Sequence, residues 1–237
     1  MIAAGTRVAV VDDREGQAET AAGIAEEADL VPSIFSETAG AFGSTGQLLE
    51  LVRSAGCDAV ICDHRLSQTG FASFTGAEFV ANLFREGIPG VLLSTFSAID
   101  SETSIKLHRA EIPSLIDRSA LDPDELLAAL RRCESELAGQ VAPERRLWRT
   151  LVRIESTSSE SEIPVVDAIV HTWNPDHAVR FPLDLIEAPD IRDALTTGHR
   201  TPTRLFAKVN IGCRSESELY FRDFEWAPEP RVSALDS

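Results

Sequence analysis

Three acidic residues stand where carboxylates can act together. Asp12 and Asp13 follow the apolar run Arg7-Val8-Ala9-Val10-Val11, and Asp63 follows Ala59-Val60-Ile61-Cys62. Both runs are short, rich in β-branched residues and bounded by glycine or polar residues, which is the pattern of buried parallel strands. In an open α/β sheet the carboxyl ends of the strands face the ligand crevice. Two strands ending in acids therefore bring three carboxylates to one spot, where they repel one another unless a cation sits among them. A hard, all-oxygen donor set that leaves room for a phosphate suits Mg²⁺.

The segments around these acids predict the frame that must position them. Gln17 to Ala28, rich in Ala and Glu, reads as a helix. Val31 to Phe35 reads as a strand, with Pro32 better suited to an edge than a centre. A helix over Gly46 to Ala55 leads to the strand ending at Asp63, and a polar loop (Ser67 to Thr75) leads to a helix over Gly76 to Arg85. A strand at Gly90 to Leu93 runs into Ser94 and Thr95, and a helix follows around Glu102 to Arg109. A last short strand at Ser114 to Ile116 ends in Asp117 and Arg118. The final helix, Asp122 to Ala138, opens with a capping Asp, a Pro in the first turn and early acids. Strands alternating with helices predict a doubly wound, five-stranded parallel sheet covered on both faces.

Over about residues 5–138 the chain resembles the receiver domain of bacterial two-component response regulators, a CheY-like, flavodoxin-like fold. The resemblance rests on Asp12-Asp13, Asp63, Arg65-Leu66 just beyond it, Ser94-Thr95 and the basic Arg118, each in order on the βα alternation. It implies that Asp63 is the phosphoacceptor. It also implies that Asp12 or Asp13, Asp63 and the backbone carbonyl of Arg65 hold Mg²⁺, and that Ser94, or Thr95 beside it, is the hydroxyl that follows the phosphate. The phosphodonor would be a histidine kinase or a small phosphodonor. The chain departs from the family where Lys is usual and Arg118 stands, where an aromatic is usual and Leu115 stands, and where a very small residue is usual and Thr95 stands.

At 237 residues the chain suits two domains. The expected division is a receiver over 1–140, a linker over 141–148 and a smaller β-rich output domain over 149–237. Net charge is -16. Up to Pro143 there are 10 Lys and Arg against 22 Asp and Glu, and from Glu144 onward 12 against 16. Neither half has the basic excess of a DNA-binding module, so no nucleic-acid partner is expected. No signal peptide or membrane-length apolar run is visible, which predicts a cytoplasmic protein. Cys57, Cys62, Cys133 and Cys213 lack CxxC spacing and read as buried, reduced thiols.

The second half alternates polar and apolar residues at Arg149 to Glu155, Arg204 to Ile211 and Leu219 to Trp226, with a longer apolar strand at Val165 to Trp173, another short strand at Ala178 to Leu183 and a helix at Ile186 to Leu195. Four or five mainly antiparallel strands predict a β-rich barrel or sandwich. Its tryptophans read as core or interface anchors. Arg145, Arg146 and Arg149 form a small basic patch that reads as a solvated face or a partner of local acids, or else as a patch that docks on the acidic receiver. His171, His177, His199 and Cys213 have no metal-ligand spacing, and no phosphate loop or nucleophile elbow occurs. His64 and His108 read as surface or supporting groups.

The combined expectation is a response regulator, not an enzyme, whose output contacts a protein partner or a second copy of itself. The alternatives are a phosphorylation-independent adaptor and a receiver that gates a small-ligand or enzyme domain.

Overall fold

The protein, here in a computed structural model that describes residues 1–95, 103–158, 163–197 and 202–228, forms two compact units, Met1–Pro143 and Glu144–Ser237. In the first, β1 (Arg7–Val11), β2 (Val31–Phe35), β3 (Ala59–Asp63), β4 (Gly90–Ser94) and β5 (Ser114–Asp117) make one sheet in the order β2-β1-β3-β4-β5. Every pairing in it is parallel. This is the doubly wound order whose switch point lies between the first and third strands. The helices are α1 (Glu15–Glu27), α2 (Thr45–Ser54), α3 (Gly76–Arg85), α4 (Ser104–His108) and α5 (Pro123–Leu137). Glu102, which the sequence includes in the helix before β5, lies outside the described residues.

Alternation along the strands builds two cores. Ala9, Val11, Val60, Cys62 and Leu92 join the buried residues of α2 and α3 on one face. Val8, Val10, Ala59, Ile61, Val91 and Leu93 join those of α1 and α5 on the other. Pro32 falls on the edge strand, where its missing N–H costs no ladder bond. Local chemistry sets the helix starts. Asp122 Oδ1 accepts the Glu125 N–H at 2.8 Å before α5, and Thr75 Oγ1 accepts the Glu78 N–H at 3.2 Å before α3.

The second unit is antiparallel: β6 (Trp148–Ser158), β7 (Val165–Val170), β8 (Ala178–Pro182), β9 (Thr203–Val209) and β10 (Phe221–Trp226), with α6 (Pro189–Thr196) between β8 and β9. The order is β10-β9-β6-β7-β8. The three consecutive strands β6, β7 and β8 with β9 returning beside β6 form a Greek key. A register shift at Glu155 bends the long β6. Phe181 on β8 and Phe221 on β10 lie at opposite edges of the sheet, yet their ring centroids are 4.7 Å apart. The sheet therefore coils until side chains of its two edges meet around one core, a partly open barrel. Glu216 caps the β8 edge by accepting the Arg180 N–H at 3.1 Å.

Of the three tryptophans, Trp173 packs against this core, while Trp148 and Trp226 lie at the surface. Trp148 is 57% and Trp226 40% exposed. Trp173 is half-buried and donates its ring N–H to the Cys213 carbonyl at 3.1 Å. The interior is instead phenylalanine and aliphatic, with Phe181, Phe221 and Phe224 at its centre. A Trp needs a partner for its ring N–H, so it settles at a rim more readily than a Phe does.

Residues of the composition-based linker belong to the second unit. Arg145 is buried, with its guanidinium 4.8 Å from the Tyr220 ring centre. The Tyr220 hydroxyl donates to the Arg145 carbonyl. Asn210 is fully buried and ties the unit together: its Nδ2 donates to the Glu144 carbonyl at 3.2 Å and the Glu218 carbonyl at 3.0 Å, and its Oδ1 accepts the Tyr220 N–H at 2.7 Å. The basic patch is thereby divided, since Arg145 is structural and Arg149 lies 3.6 Å over the Phe206 ring. Asn210→Ala removes the side-chain partner of three backbone groups, of which the Tyr220 N–H is buried, and is expected to destabilise the second unit by about 2 kcal/mol. Urea unfolding followed by tryptophan emission measures this directly, because Trp148, Trp173 and Trp226 all belong to that unit.

Candidate functional site

β1, β3, β4 and β5 are consecutive neighbours in the sheet, so the residues at their carboxyl ends converge. Asp12 and Asp13 leave β1, Asp63 ends β3, Ser94 ends β4 and Arg118 follows β5. All three acids are buried, and each offers a carboxylate oxygen within 4.8 Å of the others. A cavity of about 110 Å³ opens beside them, lined by Asp13, Asp63, His64, Arg65, Ser94, Thr95 and Arg118 among others. Ser94 is buried, whereas Thr95 is exposed at the rim.

Backbone donors orient each carboxylate. The Arg14 N–H donates to Asp12 Oδ1 at 3.0 Å, and the Arg65 N–H donates to Asp63 Oδ2 at 2.7 Å. Asp13 Oδ2 accepts the Thr69 N–H at 3.1 Å, and the Thr69 hydroxyl returns a bond to the Asp13 carbonyl at 3.1 Å. Arg118 Nη2 donates to Asp12 Oδ2 at 2.6 Å and also to Asp63 Oδ1.

Burial shifts these groups in characteristic directions. Asp12 is held above the usual carboxylate range because burial disfavours its charge; the Arg14 N–H and Arg118 offset this only in part, and Asp63 adds repulsion. Burial also works against the charge of Arg118, but the hydrogen bonds and charges of Asp63 and Asp12 outweigh it and raise its pKa. Burial pushes the Cys62 thiol well up and raises Cys57 and Cys133 too, so these thiols are poor nucleophiles. All four cysteines are buried, and none is in a disulfide.

The site contains features that the sequence does not announce. The loop after Asp63 is pinned rather than loose: Phe42 and Phe71 pack edge to face with centroids 5.1 Å apart, and Phe42 forms a bridge with Ala72. Phe71 and Phe74 are buried in the core facing α2 and α3. Arg14 Nη2 bonds Gln68 Oε1 at 2.8 Å across the cavity mouth. Gly76 donates its N–H to the His64 carbonyl at 2.8 Å and passes directly against the Asp63 backbone. Only its place between Thr75 and an apolar helical run marks it in sequence.

Of the described histidines, His64 lines this cavity and the others do not. His64 is buried at the cavity wall with Nε2 2.9 Å from Ser104 Oγ. His108 has its pKa lowered by burial. His171, His177 and Cys213 join no metal-binding group; among the described residues the one such group of His, Cys, Asp and Glu is Asp12, Asp13 and Asp63. His199 lies outside the described residues. None of the described helices is long and apolar enough to cross a membrane.

The donor set fits a hard divalent cation. It is all oxygen and carries three carboxylates against one guanidinium.

No family model and no curated protein matches the sequence. Similar solved structures exist for about the N-terminal half. One is a response regulator receiver domain from Clostridium thermocellum, 12% identical, covering 55% of this chain and 95% of that one with a TM-score of 0.42. Another is the signal receiver domain of an HD domain-containing protein from Pseudomonas fluorescens Pf-5, 18% identical, covering 59% and 94% with a TM-score of 0.43. A third is the chemotaxis response regulator CheY4 of Vibrio cholerae, 18% identical, covering 54% and 98% with a TM-score of 0.39. The strand order of the first unit is the doubly wound 2-1-3-4-5.

Proposed function

We propose that the chain is a response regulator of phosphorelay signalling that accepts a phosphoryl group on Asp63. The observation that carries this reading is the meeting of Asp12, Asp13 and Asp63 with Arg118 beside an open cavity at the carboxyl ends of neighbouring strands. Asp12, Asp13, Asp63 and the backbone carbonyl of Arg65 would hold Mg²⁺, which neutralises charge on a transferring phosphoryl group.

The chain's own residues do the rest. The Arg65 N–H orients Asp63 so that its other oxygen faces Arg118. That carboxylate oxygen attacks phosphorus in a phosphohistidine or small phosphodonor; the new O–P bond forms as the donor's bond to phosphorus breaks. Arg118 and the Ser94 hydroxyl then bond the phosphoryl oxygens, and the shift at β4 and β5 changes one face of the unit. The second unit passes the signal on by contact with a protein partner or a second copy, without DNA and without catalysis of its own.

The test is intact mass after incubation of the full chain with Mg²⁺ and acetyl phosphate. One added phosphoryl group is expected on the wild type and none on Asp63→Asn, whose side chain is nearly isosteric. An unmodified wild type with several donors would favour the second reading, a phosphorylation-independent adaptor. One observation favours that reading: Arg118 already neutralises part of the acidic cluster from within the chain.

A further inference from the structure

One face of the second unit's sheet gathers positive charge in a chain that is acidic overall. Strand register places Arg149 on β6 opposite Lys208 on β9, and Lys208 opposite Arg222 on β10. Two residues further along β6, Leu151 lies opposite Phe206, and two further again Arg153 lies opposite Arg204. These residues alternate with the buried Val152, Ile154, Leu205 and Ala207, so they share the outward face. Arg149, Arg204, Lys208 and Arg222 are exposed, while Leu151, Arg153 and Phe206 are half-buried. Two cationic rows therefore flank one apolar row. Like charges directly opposite one another weaken a sheet, so this arrangement is not built for stability. Glu225 pairs with Arg149 at 3.3 Å, Asp223 with Lys208 at 2.7 Å and Glu155 with Arg153, which sets three acids against five cations in a chain of net charge -16. Such exposed pairs are worth little, and a partner's carboxylates can replace them.

We propose that this face docks an acidic amphipathic helix of another protein, with its apolar stripe on Leu151 and Phe206 and its carboxylates over the two cationic rows. The proposal rests on the reading that the second unit acts by protein contact, and it names the chemistry of that partner. Opposite charge steers the encounter and fixes the orientation, and the apolar row anchors it. The rows are set by residues four apart on β6, a separation of about 14 Å. A helix with its side chains is about 10–12 Å across and reaches both rows at once. A single-stranded nucleic acid suits the face less well. Arg149 lies 3.6 Å over the Phe206 ring, which takes that ring from a stacking base. The exposed Trp148 and Trp226 stand opposite the buried Val209 and Leu205 and so belong to the other face of the sheet.

The test is fluorescence anisotropy of the full chain with three labelled probes: a model helix whose Leu stripe is flanked by Glu, the same helix with Lys for Glu, and single-stranded oligo-dT. The Glu helix should bind, more weakly as salt rises, and the other two should not. Arg153→Glu and Lys208→Glu should each weaken that binding roughly tenfold or more. Their urea midpoints should hold or rise, because each substitution breaks up a set of opposed like charges. A midpoint that falls in step with the binding marks a structural role and overturns the proposal. So does equal binding of the Lys helix, binding that neither variant changes, or oligo-dT bound in place of the Glu helix. Self-association that both variants abolish, with no helix bound, assigns the face to a second copy instead and overturns the helix. Labelling of Asp63 by acetyl phosphate on the same samples keeps the two readings apart: a wild type that is labelled but binds no probe loses this face alone.

Discussion

Gly76→Ala is expected to damage the first unit twice over, lowering its stability by about 3 kcal/mol and slowing the proposed phosphoryl transfer to Asp63. A methyl group at this position would overlap the Asp63 carbonyl oxygen and lie 2.8 Å from its carbon. Both are backbone atoms, so no side-chain rotation relieves the contact. Either the start of α3 or the end of β3 must move. The Gly76 N–H also ties this turn to the His64 carbonyl at 2.8 Å, so movement on one side pulls the other. Misplacement of a reacting group by about 1 Å can cost on the order of a hundredfold in rate. Amide hydrogen exchange in β3 and the rate of acetyl phosphate labelling read the two effects separately. Gly23→Ala is the control, since nothing lies within 4 Å of a methyl group there and the position is inside α1. It should stabilise the unit by about 0.5–1 kcal/mol. A harmless Gly76→Ala would mean that the junction of β3 and α3 is looser than its contacts imply.

Phe181→Ala is expected to cost the second unit about 3–5 kcal/mol, a large part of the stability of a domain this small. Phe181 is fully buried, 4.7 Å from Phe221 and 5.7 Å from Phe224 between ring centroids. These contacts join the two edges of the coiled sheet, which among the described residues share no ladder hydrogen bonds. Removing the ring opens a cavity and removes the packing that closes the barrel. Tryptophan emission during urea unfolding isolates the effect, because every tryptophan lies in this unit. The midpoint should fall steeply, while the proposed phosphoryl acceptance at Asp63 stays close to wild type. A small shift would mean that the core collapses around the missing ring.

The resemblance to receivers is legible in the sequence because its signals are local. Asp12, Asp13, Asp63, Ser94 and Arg118 each sit at the end of a short apolar run, and strand ends in a doubly wound sheet point to a common crevice. The edge position of β2 is legible from Pro32, which cannot donate to a central ladder. In the second half, alternation reveals strands, as at Leu205, Ala207 and Val209 with Phe206 on the other face. Alternation gives each strand its two faces but not its neighbours, and so the same runs fit a barrel or a sandwich equally well.

The sequence by itself determined the alternation of strands and helices, the acids at the strand ends and the acidic balance of both halves. Each depends on residue types within a few positions of one another. Only the tertiary structure decided that Arg118 bridges Asp12 as well as Asp63, that Thr69 braces Asp13 and that Gly76 must lack a side chain. It alone brought Phe181 against Phe221, buried Arg145 behind Tyr220 and left Trp148 and Trp226 exposed. The reason is physical: these contacts join residues far apart in the chain, and strand register and loop path set their distances. A pattern read along one strand carries no information about either.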